Sequence, residues 1–226
     1  MRKRGEGRFD PRCVSYFEGV HTQSHDKEKS TLMTKEKLQR AGWISITNAL
    51  FTVPAVAMSF YLESMEGAEA RFAQAVLIVA SLGLFVYILS SFRQLLNLRF
   101  RFHDVDIYIS YLLWGNLSLS LFLFLALANK EFESTVSILS ILAYIFFGIL
   151  SVLFGKRLLR LPYRLYGLLK PFSYVTVLSG VCFITVLFIP LGILTGAIAD
   201  FLLGLIFFRA AEQPPSSFET PHAPIE

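Results

Sequence analysis

The sequence predicts an all-α protein, a polytopic membrane bundle of six transmembrane helices. Hydrophobic residues make up 54% of the 226 residues and charged residues only 17%, whereas a soluble domain carries about a quarter of its residues as charged side chains. The charges are also uneven, because nearly all lie in the first 42 residues, the last 18, or short clusters between long apolar runs. These two observations exclude a disordered chain, a disulfide-rich secreted domain and a soluble enzyme.

Four apolar runs are each long enough to cross a membrane as one helix. About 20 apolar residues are needed to span about 30 Å of hydrocarbon. The runs that meet this length are Trp43–Leu62, Phe72–Phe92, Ile107–Ala128 and Thr135–Phe154.

A fifth apolar run, residues 172–208, is too long for one span and carries Asp200 as its single charge. Pro190 and Gly192 near its middle favour a turn, because proline lacks a backbone donor and glycine tolerates turn geometry. We therefore divide the run into Phe172–Ile189 and Leu191–Phe208. One long kinked helix, or a re-entrant pair that fails to cross, is the alternative.

The charge distribution predicts the orientation of these spans. Six spans with a cytoplasmic N-terminus place 14 basic residues near the inner ends of the spans and only Arg71 and Lys130 outside. This asymmetry follows the positive-inside rule. With five spans, the tail that carries Arg209 would lie outside. Six spans in the cytoplasmic (inner) membrane, with both ends of the chain in the cytoplasm, are therefore the predicted topology.

Two tails flank the predicted membrane domain of residues 43–208. Residues 1–42 form a basic cytoplasmic tail and residues 209–226 a second cytoplasmic tail. Residues 1–32 have a composition typical of disorder, although Met33 begins a segment that resembles a protein start, so residues 1–32 are alternatively an over-extended reading frame. The N-terminus lacks the short apolar stretch of a signal peptide, so we expect the first span to be an uncleaved anchor.

An internal repeat is one interpretation of the span positions. The first, third and fifth spans begin 64 and 65 residues apart, and each follows a basic stretch. Three parallel repeats of a two-helix hairpin would give this spacing. The alternative is that Leu and Arg are simply the residues that any basic interfacial loop contains.

Three short segments carry a resemblance to a known group of proteins. The segments are Leu95–Asn97 with Phe100–Asp106, Tyr166–Pro171, and Ile189–Gly192. Over about Met33 to Arg209 the chain resembles a group of prokaryotic multi-span membrane proteins with no assigned function. The resemblance implies a membrane topology but no activity, substrate or cofactor.

The segment after the fourth span is predicted to contact lipid headgroups. On a helical projection, Arg157, Arg160 and Arg164 share one side, and leucines share the neighbouring side. Such a segment lies at the membrane surface and is attracted to anionic lipid. We therefore expect these three arginines to contact headgroups on the cytoplasmic side.

Asp200 is the single charged residue deep inside a predicted span. Gly192, Gly196 and Gly204 lie at four-residue intervals around it, and small residues at this spacing let another helix approach closely. An ionisable group in hydrocarbon is costly and is a functional hypothesis by default. Asp200 is therefore either a proton or cation site, or a structural group bonded to Ser, Thr or Tyr of a neighbouring span.

Asn116 makes the third span polar, and we regard it with Asp200 as a candidate intramembrane polar site. Hydrogen bonding between helices explains an amide at this position. His103, Asp104 and Asp106 could be metal ligands, but residues just before a span suit helix capping better. We therefore predict no metal, and we expect Asp106 to cap the third span.

The function predicted from these patterns is non-catalytic. The sequence contains no Walker A, HExxH, CxxC or nucleophile-elbow motif, so no cofactor is predicted. We expect an accessory, assembly or oligomer-forming protein that acts through helix–helix contacts with a partner or a second copy, and no nucleic acid. The alternative is a small ion or solute transporter that uses Asp200, and a membrane enzyme ranks third.

Overall fold

The computed structural model describes residues 34–65, 67–100, 102–129, 132–161 and 167–212. These residues form six helices and no strand, which confirms the predicted all-α class. The helices are α1 Lys35–Glu63, α2 Ala68–Phe100, α3 Asp106–Ala128, α4 Glu133–Leu158, α5 Leu169–Ile184 and α6 Ile189–Glu212.

Five of the six helices, all except α5, are long and apolar enough to cross a membrane. Helix α5 is apolar but has only 16 residues, slightly below the usual range of about 17 to 25 for a spanning helix. The long helices extend beyond their predicted spans, because α1 begins at Lys35 and α2 continues to Phe100. The basic segments that the sequence assigns to tails and loops are therefore partly helical.

The turn between α5 and α6 differs from the prediction. Helix α5 ends at Ile184 and the turn covers residues 185–188, whereas the sequence predicts a break at Pro190. Proline is tolerated in the first turn of a helix, where its missing N–H would have no intrahelical acceptor. Pro190 therefore lies in the first turn of α6, and the chain breaks before it.

The helices pack in chain order, and the last helix returns to the first. Each helix contacts its neighbours in the sequence, and α6 packs extensively on α1. Gly42 of α1 lies against Gly204 of α6, while Asn48, further along α1, bonds to Asp200. The two helices are therefore antiparallel, and the start of α1 lies at the same end of the bundle as the end of α6.

A cluster of aromatic rings fills the core at this shared end, which we call the basic end. Phe92 of α2 is 1% exposed. Its ring makes edge contacts with Phe154, Phe172 and Phe207 at centroid distances of 6.3, 5.6 and 6.4 Å. Helices α2, α4, α5 and α6 therefore converge at one level, within about one helical turn of Arg93, Lys156, Lys170 and Arg209.

Helices α4 and α5 cross at a reciprocal pair of glycines. A Cβ added to Gly148 would lie 2.7 Å from the main-chain oxygen of Gly180, and one added to Gly180 would lie 2.6 Å from that of Gly148. Only glycine permits this approach of the two backbones. The crossing holds the short α5 against a helix long enough to span the membrane.

Several predictions fall on residues outside the described part of the chain. They concern the tail of residues 1–32, the start at Met33, the headgroup contact of Arg164 and the tail beyond Glu212.

Candidate functional site

Asp200 lies where α6 packs against α1. The side-chain amide of Asn48 donates a hydrogen bond from Nδ2 to Asp200 Oδ2 at 2.7 Å. The hydroxyl of Ser45, one turn earlier on α1, donates to the main-chain oxygen of Asp200, also at 2.7 Å. Ser45 is fully buried, whereas Asp200 and Asn48 are partly buried. The carboxylate therefore has an amide partner, whereas the structural alternative stated from the sequence named Ser, Thr or Tyr.

Close backbone approach brings these polar groups together. A Cβ added to Gly204 would lie 2.6 Å from Ile46 Cγ1 and 3.0 Å from the main-chain oxygen of Gly42. Gly204 and Asp200 are one turn apart on α6, so this contact sets the helix separation at the level of Asp200. At the basic end, the rings of Trp43 and Phe208 complete the interface with an edge contact at 5.5 Å.

This arrangement can do two things chemically. The amide satisfies one carboxylate oxygen, which lowers the cost of placing Asp200 among apolar residues and links α1 to α6. Asp200 is also the only charged residue of α6 before Arg209, and an ionisable group inside an apolar helix is a candidate proton or cation site. Among the described residues, no group of three or more His, Cys, Asp or Glu side chains is placed to hold a metal ion.

The predicted glycine stripe contacts two different helices. Gly204 faces α1, whereas a Cβ added to Gly192 would lie 3.0 Å from the ring of Phe183 on α5. Ser179 of α5 donates from Oγ to the main-chain oxygen of Gly192 at 2.9 Å. A Cβ added to Gly196 would meet only Ser179 Oγ, at an ordinary 3.6 Å. The structure does not give Gly196 the close contact that the sequence predicts.

Asn116 does not join the Asp200 site in this structure. Its side chain is partly buried in α3 and makes no hydrogen bond to a residue that the structure describes. Trp114, two residues earlier, is 69% exposed. This part of α3 therefore presents a large apolar ring on the outside of the helices, as expected for contact with lipid.

A second polar site at the basic end was not predicted. The carboxylate of Asp106, the first residue of α3, accepts hydrogen bonds from Arg93 Nε at 3.0 Å and from Asn97 Nδ2 at 3.0 and 2.9 Å. His103 Nδ1 lies 3.5 Å from Asp106 Oδ2. The predicted capping role is wrong, because Val105 is the N-cap and no side chain caps α3. The four-residue spacing of Arg93 and Asn97 was the signal available in the sequence.

Arg99 connects this region to the end of α6. Its guanidinium donates a hydrogen bond from an Nη atom to the main-chain oxygen of Ala210, in the last turn of α6. Carbonyl groups in a last turn have no intrahelical donor, and a basic side chain there also suits the helix dipole. A basic residue at the predicted membrane surface thus has a structural partner.

The predicted headgroup-contact segment has two distinct sides. Leu158 and Leu161 are 0% and 7% exposed, whereas Arg157 and Arg160 are exposed. The arginines therefore point away from the helices and are available to ligands at the basic end, and Arg164 lies outside the described residues.

Comparison with protein-family models, curated proteins and solved structures gives no match to the chain.

Proposed function

We propose that this protein is a non-catalytic integral membrane protein, an accessory, assembly or oligomer-forming factor that acts through helix–helix contacts. The observation that carries the proposal is the hydrogen bond between Asn48 and Asp200. Asp200, the residue that the sequence marks as a candidate proton or cation site, has a hydrogen-bond partner on α1, the helix against which α6 packs. Contact between helices explains the carboxylate without a substrate.

The partner helix is proposed to dock on the exposed face of α2. A shallow groove there is lined by Phe72, Ala75, Val76, Val79 and Ala80. Further along the same helix, a Cβ added to Gly83 would meet nothing within 4 Å. Small residues at mid-membrane depth allow a second helix to approach closely, so this face suits a transmembrane helix of a partner or of a second copy.

A bulky substitution in this face tests the proposal. We expect Gly83→Leu to weaken the complex isolated from native membranes at least tenfold while the thermal unfolding temperature stays unchanged, because the position is open within the chain. Ala57→Leu on the exposed surface of α1 is the matched control and should keep the complex. A wild-type protein that is monomeric and partner-free after mild solubilisation, or an unaffected Gly83→Leu complex, contradicts the proposal.

The proposed location is the inner membrane of a prokaryotic cell, with both ends of the chain in the cytoplasm. The antiparallel packing of α1 and α6 supports an even number of passes. The end that they share carries Lys35, Lys37, Arg93, Arg157 and Arg209, and basic residues are enriched on the cytoplasmic side. Arg157, Arg160 and Arg164 are proposed to contact anionic headgroups there.

A transporter that uses Asp200 is the second candidate. The observation in its favour is that Asp200 is the only charged residue of the apolar helix α6 before Arg209. Ion and proton pathways through membranes commonly use such groups. Flux through vesicles containing purified protein separates the two candidates.

A further inference from the structure

The turn between α5 and α6 exposes large apolar side chains, and Thr185 is its one polar residue. We call residues 185–188 the hairpin tip. Leu187 is 81% exposed and Phe188 is 51% exposed. No charged residue lies between Lys170 and Asp200. The turn between α1 and α2, at the same end of the bundle, is by contrast flanked by Glu63 and Glu69.

The hairpin is also shorter than its neighbours. Phe92, Phe154 and Phe207 share one level because their rings are in contact. From that level, α2 continues for 24 residues to its far end, α4 for 21 and α6 for only 18. At 1.5 Å per residue, α6 begins about 5 to 9 Å short of the far ends of α2 and α4 along the helix axes.

The backbone of the tip satisfies most of its own donors. Hydrocarbon offers no hydrogen bonds, so a backbone at membrane depth must be satisfied internally. The amides of residues 185, 186, 187, 189 and 192 all donate to carbonyl groups within residues 181–188. The Thr185 hydroxyl donates to the main-chain oxygen of Cys182 at 2.9 Å, and Pro190 has no N–H to satisfy.

The identity of residue 186, a valine with a left-handed backbone, also favours a lipid environment for the hairpin tip. Val186 has φ +55°, a left-handed conformation that β-branched residues rarely adopt. Helix ends of this kind usually have Gly, and sometimes Asn, in the left-handed position. A valine is sterically strained there, but it presents only apolar atoms to its surroundings, which favours a lipid environment.

We infer that the hairpin tip remains in the acyl chains of the leaflet opposite the basic end and does not emerge into water. Its ligand is the acyl-chain layer itself, which contacts Leu187 and Phe188. The inference rests on the membrane location alone and holds whichever function is correct.

Cysteine labelling tests the position of the tip. In a chain that carries Cys13→Ser and Cys182→Ala, Leu187→Cys is compared with Ser64→Cys, an exposed position in the turn between α1 and α2. Ruptured native membranes are treated with a membrane-impermeant maleimide, so that both faces are accessible. We expect Leu187→Cys to react at least tenfold more slowly than Ser64→Cys and to react fully after denaturation. A rate less than tenfold slower overturns the inference.

A second measurement separates lipid from protein as the cause of slow labelling. A nitroxide attached to each cysteine in reconstituted vesicles is relaxed by oxygen, which enters lipid, or by a water-soluble nickel complex, which does not. We expect the label at position 187 to respond to oxygen and not to nickel, and the label at position 64 to show the reverse. A label at 187 that responds to nickel, or to neither reagent, overturns the inference.

Discussion

Asn48 and Asp200 are 152 positions apart in the sequence and share a 2.7 Å hydrogen bond between α1 and α6. The bond lies one turn from Gly204, where the two backbones approach closely. A polar contact and a glycine contact thus act together on the same pair of helices. The first and last helices of the described chain are joined there in antiparallel orientation, so α1 begins and α6 ends at the basic end.

A double-mutant cycle measures the energy of this bond. Asp200→Asn keeps an acceptor for Asn48, so we expect it to change the free energy of unfolding by less than about 0.5 kcal/mol. Asn48→Leu removes the amide donor from a partly buried carboxylate and should cost about 1 to 3 kcal/mol. Chemical denaturation in mild detergent is the measurement, and combining Asn48→Leu with Asp200→Leu should recover part of the loss. Strict additivity of the two leucine substitutions would show that the side chains do not interact.

Alanine substitutions separate the two glycines that flank Asp200. Gly204→Ala forces a methyl group against Ile46, which we expect to cost about 1 to 3 kcal/mol through overpacking. Gly196→Ala enters ordinary contact distance and improves helix propensity by up to about 1 kcal/mol, so it should be neutral or stabilising. Thermal unfolding of the two purified variants tests the contrast. Equal destabilisation would mean that the α1–α6 approach is not set at Gly204.

Two neighbouring aspartates near the start of α3, Asp106 and Asp104, provide a second matched pair of variants. Asp106→Ala leaves Arg93 and Asn97 without their shared acceptor and should lower stability by about 1 to 2 kcal/mol. Asp104→Ala removes a carboxylate of equal charge that is exposed, and it is the matched control. Limited proteolysis between α2 and α3 should accelerate for Asp106→Ala alone. Similar cleavage of both variants would contradict a positioning role for Asp106.

Reporter fusions test the topology. A reporter that is active only in the cytoplasm should be active when it is placed after Glu212 and when it is placed before Lys35. A reporter that is active only outside the cytoplasm should be active when it is inserted at Met65. The physical reason is the antiparallel packing of α1 and α6 combined with the basic residues at their shared end. Opposite locations for the two terminal reporters would require an odd number of passes.

The helical class could be predicted from the sequence because apolar length and charge distribution are local properties. The partners of the polar groups could not, since Asn48 and Asp200 meet only through the return of α6 to α1. The predicted end of α5 at Ile189 is wrong because proline has two roles at helix ends. It can end the helix before it, and it is equally suited to the first turn of the helix that follows. The close helix contact predicted for Gly196 is wrong for a similar reason. The four-residue spacing places a glycine on one face of a helix but does not identify the helix that packs on that face.

Ion flux is the most direct measurement of whether Asp200 serves helix packing or transport. Purified wild-type protein and Asp200→Asn are reconstituted in vesicles, and pH-dependent proton and monovalent-cation fluxes are recorded beside the thermal stability and the oligomeric state of each. The packing account predicts that both proteins give the flux of protein-free vesicles and that the variant keeps the wild-type stability and assembly. A wild-type flux above that background, lost in a folded and assembled Asp200→Asn, would contradict it.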